Sequence, residues 1–173
     1  MASKKVADLK EFWRGQRKIK LLDPNLLACR EWKELLQQLI DSDAWVDFTQ
    51  GLDIRLMSEE KAAMLQQIKV ERVHFAWDNY QDKNVIIPKL REFKKITGWD
   101  HRKMGVYVLT NYNTTLQEDL ERVYTLREIG YDPYIMIYNK ETVKRGSDLR
   151  RLQRWVNSRI AFAAVNKLSL IHI

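Results

Sequence analysis

The feature of this sequence that most constrains its fold is a regular alternation of strand-like and helix-like segments. Five apolar, β-rich runs are each followed by a stretch with helical spacing, in units of roughly 30 residues. No Asn-Gly or other hairpin signal separates them, and strands joined by crossover helices must run parallel. The pattern predicts an α/β fold with a parallel sheet of about five β–α units. The predicted strands are Lys18–Asp23, Trp45–Thr49, Arg72–Trp77, Met104–Thr110 and Pro133–Tyr138.

The helices between these strands are predicted from apolar spacing and from capping residues. Segment 30–40 has apolar residues at i, i+3, i+4, i+7 and i+8, which form one helical face. Ser58 is placed to cap the next helix, and Thr115 with Glu118 forms a capping box. Pro88 is tolerated only in a helix's first turn, so the start of the helix around IIPKLREFKKI is left open. A long helix is predicted from about Ser147 to Asn166, and helices are expected on both faces of the sheet.

Length and composition indicate one domain, which we assign to residues 1–167. The 173 residues, 45% of them hydrophobic, are enough for one sizeable core. No apolar run approaches the roughly 20 residues of a membrane span, so we predict a cytoplasmic protein without membrane contact. The only cysteine, Cys29, excludes an intramolecular disulfide and a cysteine cage for a metal. The tail LSLIHI, residues 168–173, resembles a translated library adapter and is predicted to be non-native.

Polar side chains gather where the predicted strands end. In parallel α/β folds ligands bind at the carboxyl ends of the strands, so this edge is the expected site. The segment WVDFTQGLDIRLM, residues 45–57, is the clearest case, because an amide, a glycine, an acid and a base follow an apolar strand. Neither GxGxxG nor GxxxxGK follows any strand, which disfavours a dinucleotide fold. His74 is interpreted as a hydrogen-bonded core histidine rather than a catalytic base.

Several of these segments together resemble the radical S-adenosylmethionine enzymes, in an uncharacterised bacterial and phage-associated branch. They are LLDPNLLAC, WVDFTQGLDIRLM, VHFAWDN, GVYVLTNYNTTLQEDLERV and RWVNSR, and VDFTQGLDIRL is the most specific. The resemblance covers residues 6–166 and implies a partial (β/α)6 TIM-like barrel. In that family a 4Fe–4S cluster cleaves S-adenosylmethionine to generate a substrate radical. A flavodoxin- or ferredoxin-type protein would supply the electron.

The resemblance also implies a set of cofactor-binding residues along the carboxyl edge. Asp23 and Asn25 fall where the family contacts the amino end of S-adenosylmethionine. Gln50, Asp53 and Arg55 fall near its carboxylate or the substrate. Asp78 matches a ribose contact, and Asn111 and Tyr138 complete the rim.

The family's cluster loop is missing from this sequence. The family holds its cluster with a C-x3-C-x2-C motif after the first strand, and no such motif occurs here. The strand Lys18–Asp23 matches the family's second strand, so the first strand and the cluster loop are expected upstream of Met1. We expect this chain alone to be inactive, with no metal ligands of its own. Its catalytic residues and substrate are not specified by the sequence.

Two other functions are compatible with the sequence. The net charge of +7 and the basic segment Lys144–Arg159, which includes Trp155, are compatible with a non-catalytic nucleic-acid-binding module. A barrel hydrolase could hold Mg²⁺ with Asp47, Asp53 or Asp78, although no histidine joins these acids.

Overall fold

The computed structural model describes residues 4–23 and 25–165, which form a five-stranded, all-parallel sheet with seven α-helices. The strands are β1 Lys18–Leu21, β2 Trp45–Leu52, β3 Lys69–Trp77, β4 Met104–Thr110 and β5 Asp132–Ile137. The helices are α1 Leu9–Phe12, α2 Trp32–Asp41, α3 Glu59–Gln67, α4 Lys83–Thr97, α5 Leu116–Ile129, α6 Asp148–Asn157 and α7 Arg159–Ala164. The strands lie side by side in chain order. The predicted α/β class and parallel sheet are therefore confirmed.

Within the described ranges, no helix is long and apolar enough to cross a membrane. The predicted adapter-derived tail, residues 168–173, lies outside the described residues.

The predicted capping residues form the expected hydrogen bonds. The Ser58 hydroxyl accepts a hydrogen bond from the Lys61 amide at the start of α3. At the start of α5, the Glu118 amide donates to the Thr115 hydroxyl while the Thr115 amide donates to the Glu118 carboxylate. Helix α5 ends at Gly130, whose φ of 92° is a left-handed value that favours glycine. These local signals fix where the crossover helices begin and end.

Two helix predictions were wrong. The long helix expected from Ser147 to Asn166 is broken at Ser158, whose extended backbone separates α6 from α7 and whose hydroxyl caps α7. Ile160, near the start of α7, is 85% exposed. Helix α4 begins at Lys83, so Pro88 lies inside it rather than in its first turn. A proline in that position removes one hydrogen bond of the helix, and its ring crowds the carbonyl four residues earlier.

The helices cover one face of the sheet, so the expectation of two covered faces was wrong. Alternate strand residues, including Val46, Phe48, Val73 and Phe75, are buried in the core. The intervening residues of β3, Arg72, His74 and Ala76, are only partly buried. Crossovers of one hand between sequentially ordered strands return on the same side, which leaves the other face open.

Helix α6 covers the outer edge of β5. The Asn157 side-chain oxygen accepts a hydrogen bond from the Ile135 amide at 2.8 Å. The side-chain amides of Asn157 and Gln153 both donate to the Ile135 carbonyl, at 3.0 and 3.1 Å. These amides satisfy backbone groups that a neighbouring strand would otherwise pair, which protects the edge from association.

A buried ion pair joins α5 to the ends of two strands. Arg122 and Asp119 are 0% and 1% exposed, and their side chains are 2.5 Å apart. The Arg122 guanidinium also donates to the Trp77 carbonyl at 2.7 Å and to the Leu109 carbonyl at 2.8 Å. A buried charge is tolerated only when it is paired and hydrogen-bonded, as it is here.

We predict that Arg122→Leu lowers the free energy of unfolding by about 3–5 kcal/mol, because it leaves the Asp119 carboxylate buried without a counter-ion. Urea denaturation followed by circular dichroism measures the loss. Arg151→Leu is the matched control, since Arg151 forms the same i,i+3 pair with Asp148 but is 48% exposed. Its cost should be at most about 1 kcal/mol. Equal losses in the two variants would contradict the structural role of Arg122.

Candidate functional site

The carboxyl ends of β2 and β3 enclose a cleft of about 380 Å³. The last residues of β2 and β3 line it, together with residues of the β2–α3 and β3–α4 connections and one residue of α4. They are Gly51, Asp53, Arg55, Ala76, Asp78, Asn79, Asp82 and Ile86. Three of the eight predicted site residues, Asp53, Arg55 and Asp78, therefore lie in one cleft.

The glycine in WVDFTQGLDIRLM is explained by an irregularity in β2. The strand continues past the predicted end at Thr49 to Leu52. Phe48 pairs with Val73 and Leu52 pairs with Phe75, so β2 carries two more residues than β3 between these pairs. A Cβ at Gly51 would lie 3.3 Å from the Ala76 Cβ. Glycine allows this close approach, and the extra residues carry the chain into the cleft.

Asp53 and Arg55 form a two-contact ion pair at the mouth of the cleft. Arg55 Nε lies 2.9 Å from Asp53 Oδ1, and Arg55 Nη2 lies 2.9 Å from Asp53 Oδ2. The Asp53 carboxylate also accepts the Arg55 amide and caps a short 3₁₀ turn. Arg55 Nη1 reaches Asp82 Oδ2 at 3.3 Å. The guanidinium is thus held in one orientation by two aspartates.

The two predicted carboxylates of the cleft have pKa values displaced in opposite directions. Burial acts to raise the pKa of Asp53, but the hydrogen bonds and charge of Arg55 outweigh it and lower that pKa. Burial raises the pKa of Asp78, against the attraction of Arg122 and Arg55. Within the described residues, no hydrogen bond reaches the Asp78 carboxylate. Asp53 is therefore held ionised by its partner, while Asp78 has both oxygens available for a ligand.

The backbone beneath Asp78 is fixed from the core. Arg122 donates to the carbonyl of Trp77 and lies 3.4 Å from the carbonyl of Asp78. The Trp77 indole donates to the Asn79 carbonyl at 3.0 Å, and the Asn79 side chain accepts the Gln81 amide. These contacts hold the segment that presents Asp78 to the cleft.

The other predicted residues lie at the same edge but outside this cleft. The Asp23 carboxylate accepts the Asn25 amide at 3.0 Å, which is a local turn contact after β1. The Asn25 side-chain oxygen is buried, and no hydrogen-bond partner for it lies among the described residues. Gln50 is an exposed residue of β2 itself, not a residue beyond its end. No hydrogen bond within the described ranges links these three to the Asp53 pair.

Asn111 and Tyr138 form a separate contact after β4 and β5. The Asn111 side-chain amide donates to the Tyr138 carbonyl at 3.0 Å, and the Asn111 backbone has a φ of 62°. The Tyr138 ring packs edge-on against Tyr112, with ring centroids 5.0 Å apart. This contact is structural in the present arrangement and supplies no ligand group to the cleft.

Two participants in the site were missed by the sequence reasoning. Asp82 reaches Arg55 because a short 3₁₀ turn, Tyr80–Asp82, follows β3 and brings it back over the cleft. Arg122 acts from a helix interior 44 residues from Asp78 in sequence. Asp82 could have been identified from its position after a strand end. Arg122 could not, because in the sequence it looks like the other charged residues of α5, which are typical of a solvent-exposed helix face.

A second polar network lies on the open face of the sheet. His74 stacks on Tyr107 with ring centroids 4.8 Å apart, and its Nδ1 lies 3.0 Å from the Phe48 carbonyl. Burial lowers the pKa of His74, against the hydrogen bond with the Phe48 carbonyl, which acts to raise it. Gly105 of β4 makes room for this ring, since a Cβ there would lie 2.7 Å from His74 Cδ2. Beside it Arg72 forms an ion pair with Asp132 across the same glycine.

The tryptophan of the basic segment Lys144–Arg159 is buried in the core. Trp155 is 1% exposed and packs against Phe162 and Tyr124 in the core. The side chain is apolar on a helix that covers the edge of the sheet, so its burial follows from the position of α6. A base cannot stack on it.

The predicted alternative of a magnesium-dependent hydrolase also lacks a metal centre among the described residues. No group of three or more His, Cys, Asp or Glu side chains there could hold a metal ion. Asp53 is paired with Arg55. The Asp47 carboxylate on β2 forms an ion pair with Lys20 on β1, at 3.9 Å. These acids are neutralised by nearby cations rather than gathered around a cation site.

No family model, curated protein or solved structure matches this chain. Its function must therefore be inferred from the chemistry of the cleft and from the arrangement of the sheet.

We predict that Asp78→Asn does not destabilise the protein at neutral pH. Because the pKa of Asp78 is raised by folding, its contribution favours the folded state below the unfolded pKa of about 3.9 and is lost as pH rises through the folded value. The variant should therefore gain stability relative to the wild type between pH 3 and pH 7, as measured by urea denaturation. Asp41→Asn on α2 reports the effect of removing any surface carboxylate. If Asp78→Asn instead loses stability relative to the wild type as pH rises, this assignment is contradicted.

Proposed function

We propose that this chain is part of a radical S-adenosylmethionine-type protein and that the Asp53–Arg55–Asp78 cleft binds S-adenosylmethionine. Sequential strand order supports a section of a (β/α)6 TIM-like barrel wall, because doubly wound sheets reverse their order at a switch point. The open face of the sheet supports the same proposal, since a barrel wall has helices on its outer side. The site lies at the carboxyl edge, where such folds bind ligands.

The observation that carries the proposal is the charge balance of the cleft. Asp53, Asp78 and Asp82 line it with Arg55, so acidic groups are in excess. S-adenosylmethionine has a sulfonium, an ammonium and a carboxylate, and its net charge is positive. A cleft of opposite net charge favours such a ligand over neutral or anionic nucleosides.

The individual groups of the ligand find suitable partners in this cleft. The Arg55 guanidinium, already oriented by Asp53, can face the methionine carboxylate. The Asp78 carboxylate, which has no hydrogen-bond partner among the described residues, can accept both ribose hydroxyls. Asp82 lies beside Arg55 and can face the ammonium group. Asn25 and Gln50 lie at the same edge and would contribute only at its periphery.

A 4Fe–4S cluster does not fit the residues present. When bound in such a family, the cluster supplies the electron that cleaves the sulfonium. Cys29 is buried, its thiol lies 3.1 Å from the Glu31 carboxylate, and burial together with Glu31 raises its pKa. A cluster needs several thiolates, and this sequence has a single cysteine in its protonated form. A cluster, and with it the expected electron donor, would require thiolate ligands from outside this sequence.

We predict that the chain binds S-adenosylmethionine and that Asp78→Asn weakens this binding about tenfold, because one charge-assisted contact to ribose is lost. Isothermal titration calorimetry measures both affinities. S-adenosylhomocysteine, which lacks the sulfonium charge, should bind more weakly than S-adenosylmethionine. Asp41→Asn is the control for a lost carboxylate far from the cleft. Equal affinity of the wild type and Asp78→Asn would overturn the assignment of the cleft.

We also predict that this chain does not cleave S-adenosylmethionine. After incubation with iron, sulfide and dithionite, chromatography should detect no 5′-deoxyadenosine, because the cluster has too few thiolate ligands. Formation of 5′-deoxyadenosine in proportion to the protein would contradict this prediction and would leave the binding result to be judged separately.

A further inference from the structure

A second cleft, of about 310 Å³, lies at the opposite end of the sheet, where β4 and β5 begin. Its polar lining consists of Arg72, His101, Arg102, Arg127, Asp132 and Arg159. Four arginines thus face one aspartate. A second carboxylate, Asp100, pairs with Arg102 at 2.7 Å, and Arg72 is paired with Asp132. The charge of this cleft is opposite to that of the carboxyl-edge cleft.

Two of these arginines are fixed in place. Arg72 is paired with Asp132 and reaches it across Gly105, whose missing side chain leaves the space. Arg127 donates to the Val165 carbonyl at 3.0 Å, and its guanidinium lies 4.6 Å from the centre of the Phe162 ring. Groups held in this way need little reorganisation when an anion binds.

Arg159 is the arginine available to a ligand. It is exposed at the start of α7, and no hydrogen bond or ion pair within the described ranges involves its side chain. The break at Ser158 that was missed by the sequence prediction places it there. An anion in the cleft would therefore meet one unpaired guanidinium beside two oriented ones.

An aromatic surface adjoins this cleft on the open face of the sheet. A neighbouring cleft of about 390 Å³ shares Arg72, Asp132 and Arg159 with the first and adds His74, Tyr107 and Tyr134. Tyr134 is 49% exposed, and its ring meets Tyr107 edge-on, with ring centroids 5.9 Å apart. Exposed aromatic rings beside arginines are the combination that binds nucleobases and phosphates together.

We propose that these adjoining clefts bind a nucleoside phosphate, with the phosphate against Arg159 and Arg72 and the base against Tyr134. Arginine guanidinium groups suit phosphate because they donate parallel hydrogen bonds to its oxygens. This site is separate from the proposed S-adenosylmethionine cleft and does not depend on it. A free nucleotide and a single-stranded nucleic acid would present the same chemistry.

The test is calorimetric titration of the whole chain with 5′-AMP, adenosine, inorganic phosphate and a single-stranded pentanucleotide. We expect 5′-AMP to bind more tightly than adenosine, and Arg159→Ala to weaken 5′-AMP binding about tenfold. Arg154→Ala, which removes an exposed arginine of α6 outside the cleft, should leave the affinity unchanged. Tyr134→Ala should weaken binding of 5′-AMP but not of phosphate. Asp78→Asn should not affect 5′-AMP, which separates this site from the carboxyl-edge cleft.

Equal affinity for 5′-AMP and adenosine would overturn the proposal, and so would equal effects of Arg159→Ala and Arg154→Ala. Loss of 5′-AMP binding in Asp78→Asn would move the nucleotide to the other cleft and also overturn it. If the pentanucleotide binds more tightly than 5′-AMP and remains sensitive to Arg159→Ala, the proposal holds with a single-stranded nucleic acid as the source. The reverse order supports a free nucleotide.

Discussion

The buried guanidinium of Arg122 is the contact on which the arrangement of this protein depends. It neutralises Asp119 within α5 and donates to the carbonyls of Trp77 and Leu109, at the carboxyl ends of β3 and β4. A helix packed by apolar contacts alone could slide along the sheet, whereas hydrogen bonds to two strand ends fix its position. Because Asp78 follows Trp77 directly, the same contact sets the backbone that presents Asp78 to the proposed cofactor cleft.

The sheet has chemically different ends. Aspartates outnumber the single arginine in the carboxyl-edge cleft, while arginines outnumber aspartates in the amino-edge cleft. The net charge of +7 says nothing of this separation, since it sums over both ends and over the solvated helices. A cationic cofactor and an anionic ligand could thus bind one chain without competing for the same groups.

Much of the architecture could be predicted from the sequence, because the change between strand and helix periodicity is a local property. The capping residues Ser58 and Thr115 were predictable for the same reason. The break at Ser158 was not, because the apolar spacing continues through it, whereas the contact of Asn157 with β5 depends on tertiary packing. Of the candidate site, Asp53, Arg55 and Asp78 could be predicted from their positions after strand ends. Arg122 could not, since its burial depends on packing between α5 and the sheet.

The most direct test of the proposed cofactor cleft is a titration of isotope-labelled protein with S-adenosylmethionine, followed by backbone amide NMR. We expect saturable shift changes at residues 51–55 and 78–82, with none around Arg159. Changes confined to the amino edge, or no saturable change at the carboxyl edge, would contradict the assignment of S-adenosylmethionine to the Asp53–Arg55–Asp78 cleft.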